Sequence, residues 1–277
     1  FRKKIYRWPL VADMGLLYWR KDLMLEPPKT PKELEIISKK LIQEGRVEYG
    51  YVWQGKQYEG LSCVFLEIVK GFGGNWIDKN GIVKLNNKPS ISAATWLSKL
   101  IKNGISPQAV INFTENETLQ TFQAGNAAFM RNWPYAWKEL QKKNSKVRGK
   151  VGVTTMVSKK GHQSVATLGS WGFSILSSSK NKSETYKAIE FLTSPSSQEK
   201  LFIGFGYSPV SKELYENKGL MKKYPIIKVL KLGLKYTNDR PQTPIYAQIS
   251  GELQRALSNV LTNQEQPDEA MKKANIN

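Results

Sequence analysis

Two stretches of this sequence write out both ends of a helix. Thr30-Pro31-Lys32-Glu33 offers an N-cap hydroxyl, a proline in the first turn and a glutamate that reaches back to the cap. Leu34, Ile37 and Leu41 then recur on one face, and Gly45 supplies a stop. Thr114 and Glu117 repeat the box before Leu119 and Phe122, and Gly125 closes that helix. Between and around such helices lie short apolar runs of strand length. Residues 5–18 read as extended, broken by Pro9 and Gly15, and residues 127–130 as a buried strand. Residues 92–103 read as a helix ended by Gly104. Further helices are expected from Pro134, from Ser183, from Pro195 and over 247–261, with strands at 151–157 and 171–176 and a basic loop over 142–150. No internal repeat appears. The pattern is α/β, and 277 residues leave one domain or two open.

The charge needs a separate argument. Forty-two basic against 23 acidic residues give +19, which invites a polyanion partner. Phosphate and base recognition favours the bidentate fork of Arg, yet only eight of the basic residues are Arg, and the lysines are dispersed. No helix-turn-helix, RNP-like or zinc pattern is present. The expectation is a Lys-rich solvated surface and no nucleic-acid partner. A single Cys, Cys63, removes any internal disulfide framework, and a single His, His162, removes His-based zinc sites. Cys63 reads as a buried small hydrophobe and His162 as a loop residue. No metal, cofactor or catalytic residue is expected.

The aromatics are the informative residues, because many stand beside Gly, Pro or Asp instead of on helical stripes. Tyr58-Glu59 lies between glycines, Trp76 follows Gly73-Gly74-Asn75, and Trp133-Pro134-Tyr135-Ala136-Trp137 packs three rings into five residues. Trp171 sits in Gly169-Ser170-Trp171-Gly172, and Tyr246 follows Arg240-Pro241-Gln242-Thr243-Pro244. An aromatic face flanked by carboxylates, Arg and Asn suits a pyranose, whose C–H face packs on the ring while its hydroxyls need donors and acceptors. Simple core filling is the competing reading, and it is favoured for Trp96 on its amphipathic helix.

Taken in order, these segments resemble the sugar-binding proteins of bacterial ABC transporters, family 1, and within it the maltose/trehalose branch. The resemblance runs through Ile5-Tyr6-Arg7-Trp8-Pro9-Leu10-Val11-Ala12-Asp13-Met14-Gly15-Leu16-Leu17-Tyr18, Glu26-Pro27-Pro28-Lys29-Thr30, Tyr51-Val52-Trp53-Gln54-Gly55-Lys56-Gln57-Tyr58-Glu59-Gly60 and Gly73-Gly74-Asn75-Trp76. It continues through Gly125-Asn126-Ala127-Ala128-Phe129-Met130 with Trp133-Pro134-Tyr135, Leu168-Gly169-Ser170-Trp171-Gly172, and Arg240-Pro241 to Tyr246.

What the resemblance implies is a two-lobe periplasmic-binding-protein-like fold of type II, its first lobe largely missing from this sequence. Residues 5–160 would form the main part of the second lobe, 161–215 a segment returning to the first, and 216–277 the second lobe's C-terminal helices. The chain opens with Phe1-Arg2-Lys3-Lys4, not Met, so the first lobe's opening units, the signal peptide and any lipid-anchor Cys are expected outside it. The implied function is the substrate-binding component of an ABC sugar importer. It would take an oligosaccharide or glycoside of maltose, trehalose, sucrose or glucosylglycerol type in an interlobe cleft and deliver it to permease subunits. The implied sugar contacts are Asp13, Tyr58, Glu59, Tyr135, Trp171, Gly172 and Arg240, with Trp76 and Trp133 as further candidates. The protein would be a monomer, periplasmic or otherwise extracytoplasmic, touching the membrane only through a lipid anchor or the permease. The competing class is a carbohydrate-active enzyme, which would need two carboxylates poised across one bond.

Overall fold

The computed structural model describes residues 5–78 and 80–275; residues 276–277, which end the last expected segment, lie outside them. In chain order the elements are β1 (Trp8–Met14), β2 (Leu16–Arg20), α1 (Pro31–Gln43), β3 (Tyr49–Val52), α2 (Glu59–Gly71), α3 (Lys88–Lys102), α4 (Glu115–Gln123) and β4 (Ala127–Asn132). There follow α5 (Tyr135–Leu140), β5 (Val151–Thr154), β6 (Ala166–Phe173), α6 (Lys182–Leu192), α7 (Pro195–Phe205), α8 (Lys212–Glu216), α9 (Lys218–Lys223), α10 (Ile226–Gly233), β7 (Thr237–Asn238), α11 (Tyr246–Leu261) and α12 (Pro267–Lys273).

Both capping boxes form. Thr30 accepts from the Glu33 amide while the Glu33 carboxylate takes the Thr30 amide, and Thr114 and Glu117 cap α4 in the same reciprocal way. Gly45 and Gly125 sit at φ of 65° and 83°, the left-handed conformation a helix stop needs. The helix expected from residue 92 begins earlier, at Lys88. The Asn87 side chain accepts from the Ser90 amide and Pro89 fills the first turn, a start signal the apolar periodicity does not include.

Gly15 divides the opening extended stretch between two sheets. β2 lies in a four-stranded sheet of order β3-β4-β2-β5, in which β3 and β4 run parallel and the other pairs antiparallel. β1 instead pairs antiparallel with β6, and β7 adds the third strand. Pro9 remains inside β1, at a register irregularity between Pro9 and Val11. Register with β1 also explains why β6 starts and ends before the expected 171–176: Met14 faces Leu168 and Trp8 faces Phe173. The strand expected at 151–157 stops at Thr154.

Strand alternation gives the four-stranded sheet a core on each face. Leu17 and Phe129 pack with Val64, Phe65 and Ile68 of α2, Trp96 and Leu97 of α3, and Leu253 and Leu257 of α11. Leu16, Tyr18 and Met130 pack on the other face with Phe122, Leu140, Ile227 and Leu230. Eleven of the 13 residues of α2 are buried, Cys63 among them, and His162 is exposed. The stretch 161–215 is not uniform. Ala166, Phe202, Leu214 and Tyr215 belong to the second core, whereas Trp171, Leu176 and Phe191 are exposed and Ile189 is the one buried residue of α6.

Candidate functional site

The site is built where α2 and α4 begin and where β4 runs out. Tyr58 is the N-cap residue of α2 and Glu59 its first helical residue; Glu115 opens α4. Glu115 joins two aromatics, since one carboxylate oxygen accepts from the Tyr58 hydroxyl at 2.8 Å and the other from the Trp133 indole N–H at 3.0 Å. Its backbone carbonyl accepts from the Asn132 side-chain Nδ2 at 3.1 Å. Burial, reinforced by the Glu115 carboxylate, pushes the Tyr58 hydroxyl well above its ordinary pKa, so it acts as a fixed donor.

Trp133 is held from other directions as well. The Arg131 guanidinium lies 4.0 Å from its ring centroid, and the Tyr18 hydroxyl donates to its carbonyl at 2.8 Å. Arg131 is fully buried and forms a two-pronged pair with Glu67, at 3.0 Å from Nε and 2.5 Å from Nη2, neither side chain being exposed. Gln54 accepts from Arg131 Nη1 at 3.2 Å, and the Thr167 amide donates to Glu67 at 3.2 Å. Charge-assisted bonds of this kind leave little rotational freedom. Gly15 belongs to the same construction: a Cβ there would run into Glu67 Oε1 and stand 2.6 Å from Arg131 Nη2.

Glu59 anchors a second group. It accepts from Arg240 Nη1 at 2.8 Å, from the Tyr246 hydroxyl, and from Ser250 Oγ at 2.7 Å. Ser62 bonds Ser250 in turn at 2.8 Å. Glu59 therefore has more than the helix dipole as company, and its bond to Arg240 ties α2 to the loop before α11. That loop lines a cavity of about 490 Å³ with Arg7, Ser170, Thr243 and Tyr246, and a second of about 220 Å³ with Lys70, Asn75 and Trp76.

β6 connects the two groups. Leu168 and Ser170 line the larger cavity, while Gly169 abuts the Trp133 ring, as alternation along a strand requires. Asp13 faces Gly169 across the β1–β6 ladder. It is 9% exposed, accepts from the Ser208 amide at 3.4 Å, and burial pushes its carboxyl up to about 6. Trp171 is 72% exposed. Gly172 is a close approach of strands, because a Cβ would strike the Trp8 carbonyl. Tyr135 begins α5, part-buried, with Gly206 packed on its backbone. Trp76 is 1% exposed in the first core, its ring 6.3 Å from Phe65.

The candidates thus gather by shared partners: Tyr58 with Trp133, Glu59 with Arg240, Asp13 with Trp133 through Gly169. The partners themselves, Glu115, Arg131, Glu67 and Gln54, escape sequence reasoning. Glu67 and Arg131 had a signal, each a lone charge inside an otherwise apolar run, and of opposite sign. Glu115 had only its place at a helix start, which dipole complementation explains equally well.

Aromatics and carboxylates gathered beside β6 of an α/β chain suit a small polar solute. Residues 1–199 match the bacterial extracellular solute-binding proteins, and the chain belongs to that family. A "Probable ABC transporter-binding protein" of Deinococcus radiodurans is 36% identical over 97% of this chain and 67% of its own length. The maltose-bound structure of T. maritima MalE3 superposes with a TM-score of 0.93 at 34% identity, over 99% of this chain and 72% of that one. A ribitol complex of an ABC-transporter solute-binding protein from Agrobacterium radiobacter, at 24% identity, gives 0.89 over 99% of this chain and 71% of its own. The chain has the α/β fold of these binding proteins and spans about two thirds of the length of the curated relatives it matches.

Proposed function

We propose that this chain is the substrate-binding component of an ABC sugar importer, taking an oligosaccharide or glycoside of maltose, trehalose, sucrose or glucosylglycerol type. The observation that carries the reading is a locked indole, Trp133, packed against Gly169 of β6, with an exposed indole, Trp171, two positions further along the same strand. Trp171 is 72% exposed on β6, and the C–H face of a sugar packs favourably on an indole presented in this way. The maltose bound by the T. maritima relative supports the same ligand class.

In this reading Asp13, Tyr58, Glu59, Tyr135, Trp171, Gly172 and Arg240 contact the sugar, with Trp133 beside them, and Trp76 supports the wall from within the core. Residues 5–160 and 216–277 form one lobe and 161–215 reach toward another, with the β1–β6 crossing as hinge. The protein works as an extracytoplasmic monomer, held near the membrane by the permease or a lipid anchor, and performs no chemistry. The carboxylates support binding over hydrolysis: Glu59 and Glu115 are each engaged by at least two donors, not poised as an acid–nucleophile pair.

Thermal-shift titration with maltose, trehalose, sucrose and glucosylglycerol tests the reading. A ligand at a hundredfold its Kd adds about 2.7 kcal/mol to the folded state. If none of the four raises the midpoint, the sugar assignment fails; release of reducing sugar would replace the receptor with an enzyme.

A further inference from the structure

The net charge of +19 is unevenly placed in the folded chain. Residues 138–150 hold six cations and one acid, and residues 218–236 hold six cations and no acid. Far apart in sequence, the two segments meet in space. Leu140 and Val147 of the first and Leu220, Ile227 and Leu230 of the second pack into the same core, on one face of the four-stranded sheet. α10 also packs on β5, whose first residue follows Lys150. These 32 residues carry +11, more than half of the chain's net charge. The helices on the opposite face, α1, α2, α3, α11 and α12, hold ten cations against seven acids. Ten of the twelve cations are exposed, and Lys138 and Lys231 are half-buried. Among the described residues only Lys142 and Lys231 are ion-paired, with Glu139 at 2.6 Å and Glu216 at 2.7 Å. Acids on adjoining segments are also engaged: Asp22 by Arg20, Glu115 by Tyr58 and Trp133, and Glu117 in the cap of α4.

We propose that this basic layer, the loop over 142–150 together with α9 and α10, docks the protein on an anionic lipid surface. Eleven of its twelve cations are Lys. A hydrated ammonium on a flexible stem suits the diffuse negative charge of lipid headgroups, whereas nucleic-acid recognition draws on the bidentate fork of Arg. Leu232 adds an apolar contact: it is 46% exposed on α10, with Lys228 four residues before it and Lys235 three residues after. An apolar side chain among lysines is what a membrane interface accommodates, the chain entering the acyl boundary while the ammonium groups stay at the headgroups. Among the described residues no helix is long and apolar enough to cross a membrane, so the contact is with its surface. The layer lies outside the candidate sugar contacts, and the inference does not depend on the sugar reading.

Flotation of the whole chain with vesicles tests this, using equimolar phosphatidylglycerol and phosphatidylcholine against phosphatidylcholine alone. Binding is expected to the anionic vesicles only, and to weaken as salt rises. Three sets of substitutions lower the net charge equally, each at exposed positions. Lys143→Gln/Lys146→Gln/Arg148→Gln alters the loop, and Lys222→Gln/Lys223→Gln/Lys228→Gln alters α9 and α10. Lys39→Gln/Lys99→Gln/Lys102→Gln does the same on the opposite face of the sheet. The first two sets should weaken vesicle binding about tenfold or more, and the third about twofold or less. As exposed surface changes, all three should keep the wild-type unfolding midpoint. The proposal is overturned if wild type ignores anionic vesicles, or if the three sets lose binding equally, which would make net charge and not this layer responsible. It is also overturned if the chain binds a double-stranded oligonucleotide more tightly than the vesicles at the same salt, which would replace lipid with nucleic acid.

Discussion

Arg131 lies with its guanidinium 4.0 Å from the ring centroid of Trp133 and its charge locked against Glu67 in a pair from which solvent is absent. One residue thereby does two tasks: it neutralises a carboxylate inside the most buried helix, and it forms the floor under an aromatic of the candidate site. Removing one member of such a pair strands the other charge. Arg131→Met should cost about 3–5 kcal/mol in urea unfolding, and Arg131→Met/Glu67→Leu should recover most of it. Equal losses in the single and double variants would show that the pair's charge is not what the fold depends on.

Gly15 carries a prediction from the same pair. A methyl group there has no room beside Glu67 Oε1 and Arg131 Nη2. Both belong to a rigid buried network, so neither can swing away without losing partners. Gly15→Ala should therefore destabilise by about 3 kcal/mol or more, as overpacking of a core does. A thermal midpoint within a degree or two of wild type would mean the network relaxes freely.

The sequence declares some of this and conceals the rest for physical reasons. Caps at Thr30 and Thr114 and stops at Gly45 and Gly125 are local, each satisfied within a few residues, so they can be read from the chain. The limits of β6 are not local; they are set by register with a strand more than a hundred residues away. Asp13, Tyr58, Glu59, Trp133 and Arg240 stand out by residue type and setting, yet what holds them does not. Glu115 meets Tyr58 and Trp133 across 57 and 18 residues of chain, a meeting no spacing rule encodes. Trp76 follows a turn as Trp171 stands between glycines, and only packing separates the buried indole from the exposed one.

Those two tryptophans should respond to substitution in opposite ways. Trp171→Ala removes an indole already 72% exposed, so stability should change by no more than about 0.5 kcal/mol while sugar affinity falls about tenfold. Trp76→Ala empties a core position and should cost about 3–5 kcal/mol. Paired unfolding and binding curves decide; a Trp171→Ala loss of stability as large as that of Trp76→Ala would make Trp171 structural.

Glu115→Gln tests whether the carboxylate positions the two rings. The glutamine oxygen can accept from either Tyr58 or Trp133, while its amide faces the remaining donor. The near-ultraviolet circular dichroism of the aromatics should change with the far-ultraviolet spectrum intact, and sugar affinity should fall about tenfold. Trp133→Phe, which keeps a ring and loses the N–H, should show the same affinity loss. Unchanged affinity in both variants would remove Glu115 from the site's working parts.

Asp13 makes the stability of the fold depend on pH with a definite sign. Burial raises its carboxyl from 3.8 to about 6, so between those values the folded chain holds a proton that the unfolded chain has released. Stability from this group is full below about pH 4 and is lost as the pH climbs through 6, by roughly 3 kcal/mol at about 1.4 kcal/mol per unit of pKa shift. Asp13→Asn keeps an oxygen that can accept from the Ser208 amide and has no proton to lose. The variant should match wild type near pH 3 and exceed it near pH 7.5 in denaturant midpoint. If the two curves stay parallel across that range, the Asp13 carboxylate is better solvated in solution than its place opposite Gly169 implies, and β1 is free to move there.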